Sequence, residues 1–407
     1  MSLVLTHATI VDCVEPEPKE NASVYVEDGR ILKIEHSRHT PRPSKSNEVV
    51  DLSGATIIPG LWDAHAHLAL ALPQTDLSKR PPFEPPAERA IRAGRNLLDA
   101  FRGGITAVRV VGEADGVDIA WKRAFATGLW EGPRLFVCGA ALACTGGHAT
   151  RTGLAVECEG PQGFRKGVRE QIQRGADQIK LMVTGGIGGS PTELPDDVEL
   201  TVDEIRAAVE VAHARGHIVG AHVGGARGAK VSIEAGVDCI EHGYVLDQGA
   251  VDLMVSKGTT YVPTLTVTQL GSQHYEEAGW APYAIRNAAR IAPLHESSFR
   301  LALEAGVTIA AGEDCQSILP YAHFEIKLFV RLGMTPYAAL VSATRTPARL
   351  CGVEADLGTV EAGKFADLII LQGNPLERID AIEAPAAVMK AGIFAFGVKG
   401  EELVSTN

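Results

Sequence analysis

Between residues 60 and 315 the chain alternates eight times between a short apolar run and, in most intervals, an amphipathic helical stretch. The runs fall at 61–64, 106–111, 134–138, 178–183, 218–221, 238–241, 260–263 and 307–311. Apolar runs of this length, separated by helices, predict parallel strands buried on both faces. Eight strand–helix repeats predict an α/β fold of the (β/α)8 TIM-barrel type, which takes about 250 residues. Helices are expected over 86–101, 203–215, 284–304 and 336–350. Thr201, followed three residues on by Glu204, predicts a capping box in front of the second of these.

The two ends of the chain have a different texture. Residues 3–11 read as a strand, and 23–26 with 30–34 as a hairpin across Asp28-Gly29. Short runs at 49–50 and 56–58 follow, before Pro59-Gly60 ends the pattern. Strand texture returns at 359–360, 367–371 and 387–395. The expected organisation is a small β-sandwich domain built from 1–58 and 353–407, and a catalytic barrel over 59–352.

Composition narrows the class of partner. With 45% hydrophobic and 22% charged residues in 407, the chain is not a disordered one. A net charge of −12 without any basic run argues against nucleic acid and anionic membrane. No stretch approaches the ~20 apolar residues of a membrane span. The charge says little about a small-molecule substrate, the partner expected from the strand-end residues below. The seven cysteines, an odd number without C-x-x-C spacing, favour a reducing, cytoplasmic setting. The opening residues MSLVLTHATIVD read as a strand and not as a signal peptide.

Reactive groups of a (β/α)8 enzyme lie at the C-terminal strand ends. Here those ends carry His65 and His67, His148, Lys180, His222, His242 and Asp314. His65 and His67 are two apart, so on an extended strand both imidazoles face one side, as two ligands of one metal or as a polar strand end. Lys180 lies between Ile179 and Leu181; its head either snorkels to the rim or is buried and deprotonated. A neutral lysine can take up carbon dioxide as a carbamate, turning a cation into a carboxylate that bridges two divalent ions. His222 and His242, on consecutive strands, are candidates for the second ion or for satisfied core histidines. Asp314 is a candidate metal ligand and proton carrier, or a helix N-cap. Two cations would lower the pKa of a shared water, so that a bridging hydroxide is available near neutral pH.

GLWDAHAHL (60–68), QIKLMVTGG (178–186), GAHVGG (220–225), IEHGY (240–244) and AAGED (310–314), with GTVEAGKFADLIIL near the C-terminus, make the chain resemble the amidohydrolase superfamily. The subgroup it resembles is the binuclear one with a carboxylated lysine. The resemblance implies a barrel with a β-sandwich and two divalent ions, usually zinc. It implies His65, His67 and Asp314 on one metal, His222 and His242 on the other, and Lys180 bridging. It also implies a homo-oligomer. TGGH (145–148) and the tyrosine of IEHGY are similar to the prolidase-like group, which cleaves Xaa-Pro and related C-terminal amide bonds. On that resemblance His148 and Tyr244 contact the substrate at the scissile carbonyl, although ordinary rim packing is open to both. Arg109 is a candidate for the substrate carboxylate, or for a structural ion pair. N-acyl amino acids, aryl amides, carbamates and cyclic amides are alternative substrates for the same metal site, and a metal-free binding barrel is a remote alternative. Two departures lie beside the pocket: Gly-Glu-Asp (312–314) where Gly-Thr-Asp is more usual, and Val-Arg-Val-Val (108–111) where an Asp often follows the Arg. Residues 184–190, rich in glycine, and the acidic 192–199 read as a solvated loop or a lid over the rim.

Overall fold

A computed structural model of the chain describes residues 2–37, 47–70, 84–189, 191–277, 279–315 and 317–397. The chain divides into two units, one of Met1–Trp62, Leu98–Ala107 and Phe329–Asn407, the other of Asp63–Leu97 and Val108–Leu328. It opens with β1 (Ser2–Ile10), β2 (Lys19–Glu27), β3 (Arg30–His36), β4 (Asn47–Asp51) and β5 (Thr56–Pro59). Next come β6 (Leu61–Ala66), β7 (Ile105–Val110), β8 (Arg134–Phe136), β9 (Ala141–Ala143) and β10 (Ala155–Glu157). After these follow β11 (Gln178–Met182), β12 (Ile218–Gly225), β13 (Cys239–Val245) and β14 (Thr260–Val262). The last strands are β15 (Leu368–Leu371), β16 (Pro385–Lys390) and β17 (Ile393–Phe396).

In the first unit hydrogen bonds join eight strands in the order β17-β16-β15-β5-β1-β2-β3, with β4 also on β1. Leu3 and Leu5, and Leu368 and Ile370, point to one face at the two-residue period of a strand. They pack with Val24, Val26, Ile31, Ile57 and Met389 into one apolar core. The β2–β3 hairpin is bonded to the segment that precedes β15: Ile31 N–H donates to Lys364 O (2.8 Å) and Ala366 N–H to Gly29 O (2.9 Å). The strands expected for the sandwich are hydrogen-bonded into one sheet. The β2–β3 hairpin turns at Asp28 and Gly29, both left-handed (φ 49° and 79°), as a two-residue turn between twisted strands requires.

Two expected elements are divided. The run at 387–395 breaks into β16 and β17 at Ala391 and Gly392, both with positive φ (46° and 75°). The helix over 336–350 becomes Pro336–Ser342 and Arg345–Leu350. Pro347 has no N–H for the Ala343 carbonyl, which instead accepts from Trp62 N–H at 2.7 Å. Residues 359–360 form no strand; Val360 N–H donates to Asp12 O (3.0 Å).

In the second unit β10-β9-β11-β12-β13-β14 form a six-stranded parallel sheet; β6-β7-β8 form a separate three-stranded sheet. Helices Gly160–Arg174, Val202–His213, Ala226–Ala235 and Gln248–Lys257 alternate with the strands of the larger sheet. The capping box is present: Glu204 N–H donates to the Thr201 hydroxyl (3.4 Å), and Thr201 N–H to the Glu204 carboxylate (2.8 Å). Residues 307–311 pair through a single bridge, Tyr261 with Ile309, because β14 is only three residues long. Their backbone is used on both sides nonetheless. Ala310 N–H donates to Tyr261 O (2.9 Å), and Ala64 N–H donates to Ala311 O (2.8 Å). Among the described residues no helix is long and apolar enough to cross a membrane, and all seven cysteines are free.

Candidate active site

Strand ends of the second unit surround a cavity of about 550 Å³. His65, His67, Lys180, His222, His242 and Asp314 all line it. His65 and His67 lie on and just beyond the end of β6, Lys180 lies within β11, His222 on β12 and His242 on β13. β13 carries one extra residue against β12, between the pairs Val223–His242 and Gly225–Val245. At this bulge His242 is left-handed (φ 68°), and Asp314 is as well (φ 54°). Non-glycine residues held so are strained, by about 1–3 kcal/mol each, and such strain concentrates at functional sites.

The imidazoles are oriented from behind. His65 Nδ1 lies 2.7 Å from the Glu241 carboxylate, and His67 Nδ1 2.7 Å from Gly112 O. Each therefore turns Nε2 toward the same oxygen, Asp314 Oδ1, at 3.5 and 3.3 Å. The three ligand atoms lie within 4.8 Å of one another, a group able to hold one metal ion. Asp314 N–H donates to His65 O (3.0 Å), which fixes the aspartate against β6. Gly312 makes this approach possible: a Cβ there would fall 2.6 Å from His65 N. The rings of His222 and His242 lie 4.4 Å apart; His242 Nδ1 is 2.8 Å from the Thr264 hydroxyl and 3.6 Å from Asp314 Oδ2.

Lys180 does not snorkel. Its Nζ is buried and has no hydrogen-bond partner among the described residues. Burial pushes its pKa down, against the opposing pull of Glu241. An orphaned amine among imidazoles and a carboxylate fits a group that binds carbon dioxide and then metal far better than it fits a structural ammonium. Burial works to raise the Asp314 carboxyl, but His65, His67 and His242 hold it well below the usual range. Burial, with His148, His242 and Lys180 nearby, keeps His222 well below the ordinary imidazole range. Burial likewise holds His242 neutral in spite of Asp314. Neutral imidazole is the form that ligates.

Arg109 corrects an expectation. It does not reach the cavity; its fully buried guanidinium donates to Glu241 (2.9 Å), Ala64 O (2.9 Å) and Gln178 (2.5 Å). Its work is to hold Glu241, whose carboxyl is lowered by Arg109, Lys180 and His65 against the effect of burial. Glu241, in turn, orients His65. The sequence reading passed over this glutamate, although an acid inside the run Cys-Ile-Glu-His was its signal.

His148 and Tyr244 do line the cavity. The His148 ring stacks on His222 (4.2 Å, 22°), and Tyr244 on His242 (5.2 Å, 20°). Burial, reinforced by Asp314 and Glu193, raises the Tyr244 pKa well above the ordinary value, so the phenol keeps its proton and can donate. The glycine-rich and acidic loop is tied to this wall, apart from Ser190, which lies outside the described residues. Gly185 N–H donates to Asp197 O (3.1 Å), and Ile187 is buried against Tyr244, Val267 and Trp280.

The Amidohydrolase family model matches residues 56–398. The Aspergillus niger protein named ochratoxinase is 30% identical over 401 residues, covering 91% of this chain and 82% of its own. A crystal structure of a Xaa-Pro dipeptidase with methionine bound in its active site superposes with a TM-score of 0.89 at 31% identity, covering 98% of this chain and all of the other. A prolidase complexed with N-methylphosphonate-L-proline superposes equally well, at 30% identity and over 97% and 99% of the two chains. The sequence motifs, the cavity of histidines and acid, and these likenesses agree: the chain belongs to the amidohydrolase family, resembles its prolidase-like members, and is a hydrolase acting on carbon–nitrogen bonds.

Proposed function

We propose that the chain is a binuclear-metal amidohydrolase cleaving the amide bond of a dipeptide that ends in proline or another amino acid. The observation that carries this reading is Lys180, an amine buried without a partner in the floor of a cavity of ligand-type side chains. His65, His67 and Asp314 would hold one divalent ion, with zinc the first candidate; His222 and His242 would hold the second, and Lys180, as its carbamate, would join them. When bound, such ions lower the pKa of a water and polarise the scissile carbonyl. Asp314, kept ionised by its histidines, is the base within the cavity that takes the proton of the attacking water and passes it to the leaving nitrogen. The Tyr244 phenol and the His148 imidazole face the same space; the phenol donates to the carbonyl oxygen as charge develops on it, and the imidazole orients the substrate beside the scissile carbonyl.

The bonds that residues 307–311 make to both β14 and β6, and the bond from Asp177 N–H to Val137 O (2.7 Å), support reading the two sheets as arcs of one (β/α)8 barrel. In this reading the barrel spans 59–352, the small β domain combines 1–58 with 353–407, and the enzyme works as a cytoplasmic homo-oligomer. Similarity to ochratoxinase, at an identity close to that of the dipeptidase, supports a second reading: N-acyl amino acids, aryl amides, carbamates or cyclic amides on the same site.

The test is amino-acid release by zinc-loaded protein from a panel of Xaa-Pro dipeptides, other dipeptides and N-acyl amino acids. Release from Xaa-Pro dipeptides is the expected result. Release from N-acyl amino acids alone would move the function to the second reading, and no release from any dipeptide would overturn the first.

A further inference from the structure

His148 sits on a turn, between Gly146 and Ala149, both left-handed (φ 71° and 65°), and no regular element holds its ring. The loop after β11 holds it from two directions. The Glu193 carboxylate meets the ring at Nδ1, and the Glu199 carboxylate accepts the backbone N–H of His148 at 2.9 Å. Gly186 N–H donates to the same Glu193 oxygen. A Cβ on Gly186 would come within 2.3 Å of the His148 ring, so only glycine lets the loop lie this close. Asn287 Nδ2 donates to Ile187 O (3.2 Å) and Tyr283 OH to Gly188 O (3.2 Å), which anchors the segment carrying Glu193.

We propose that Glu193 is a positioning residue for hydrolysis: it holds the proton of His148 on Nδ1 and so leaves Nε2 as the ring nitrogen that serves the substrate. An ionised carboxylate offers only acceptor lone pairs, so the nitrogen facing it must carry a proton. Burial works to raise the Glu193 carboxyl, but its bonds to His148 and Gly186 hold it below the usual range, so it is ionised at neutral pH. Without it the imidazole is free to exchange its tautomers and to rotate off His222. This inference rests on the reading that His148 orients the substrate beside the scissile carbonyl, and it adds the residue that makes His148 fit to do so. Nothing in the motif TGGH points to this partner, which lies 45 residues away in the chain.

A double-mutant cycle tests it, run on whichever substrate the panel identifies. Glu193→Ala is expected to lower kcat by about 100-fold, the scale of a misplaced catalytic geometry, with KM changed by less than about threefold. Glu193→Gln still accepts a hydrogen bond at Nδ1 and is expected to stay within about tenfold of the parent enzyme. In a His148→Ala background, removing Glu193 is expected to have no further effect. Metal content and melting temperature, measured alongside, are expected to match the parent in Glu193→Gln. Equal losses with and without His148, or a Glu193→Ala effect confined to KM, would overturn the proposal while leaving the role of His148 intact. A His148→Ala enzyme at the parent rate would remove the role of His148 itself, and the proposal with it.

Discussion

Lys180 and Arg109 are both basic side chains drawn into the interior of one unit, and their neighbours give them opposite tasks. Arg109 is saturated by Glu241, Gln178 and Ala64 O, while Lys180 Nζ has no hydrogen-bond partner among the described residues. Lys180→Ala is therefore expected to lose bound metal and turnover together, with partial rescue of both by a short carboxylate such as formate; elemental analysis and amino-acid release measure the two. Arg109→Met strands the Glu241 carboxylate in a dry interior and is expected to cost about 3–5 kcal/mol in a denaturant melt. Because Arg109 lies outside the cavity, the ratio of kcat/KM for an acid substrate and its C-terminal amide should not change in that variant; a collapse of the ratio would return Arg109 to the substrate. The ligand-type residues were legible in the sequence because H-x-H and the strand-end histidines have a period that matches the fold. The partners were not: whether an acid such as Glu241 or Glu193 meets a histidine depends on register and loop path, which are set by contacts between distant residues.

Among the elements, the segment 307–311 shows how a local pattern is read well and still changes form. Its apolar run is strand-like, yet its backbone bonds are divided between β14 and β6 and no ladder forms. The division matters because the segment carries Asp314 to His65, and Gly312 sets how closely it can lie. Gly312→Ala is expected to move Asp314 away from His65 and His67, lowering metal affinity by at least about tenfold, the lower end seen when support of a ligand is lost. Titration of the chelated protein with zinc would measure it, and unchanged affinity would show that the close approach is not needed. The run 336–350 reads as one helix in the sequence although it contains Pro347, and the carbonyl of Ala343, which this proline leaves without an N–H, finds its donor in Trp62.

For the whole molecule, a change of texture was legible in the sequence, strands at both ends and strand–helix repeats between, whereas the first unit also takes in Leu98–Ala107 and the chain from Phe329 onward. The order β17-β16-β15-β5-β1-β2-β3 was not legible, since several permutations of short strands bury the same apolar faces. Ions held at the proposed metal site would stabilise the native state by mass action, about 4 kcal/mol at a thousand times the dissociation constant. Chelation is expected to lower the melting temperature by several degrees, and returning zinc to restore it in a concentration-dependent way; a melting temperature indifferent to chelator would count against tightly bound metal.

β5 lies between β1 and β15, and these two neighbours become available at very different times. During synthesis β1 is already waiting when Thr56–Pro59 leaves the ribosome, whereas Leu368–Leu371 follows roughly three hundred residues later, about 15–60 s at ordinary elongation rates. For that interval the newborn chain carries an unpaired apolar strand edge while the α/β unit is still being made, the kind of edge on which chains aggregate. The rate at which the nascent chain lengthens, and the chaperones that shield it, thus bear on how much of this enzyme reaches its native state.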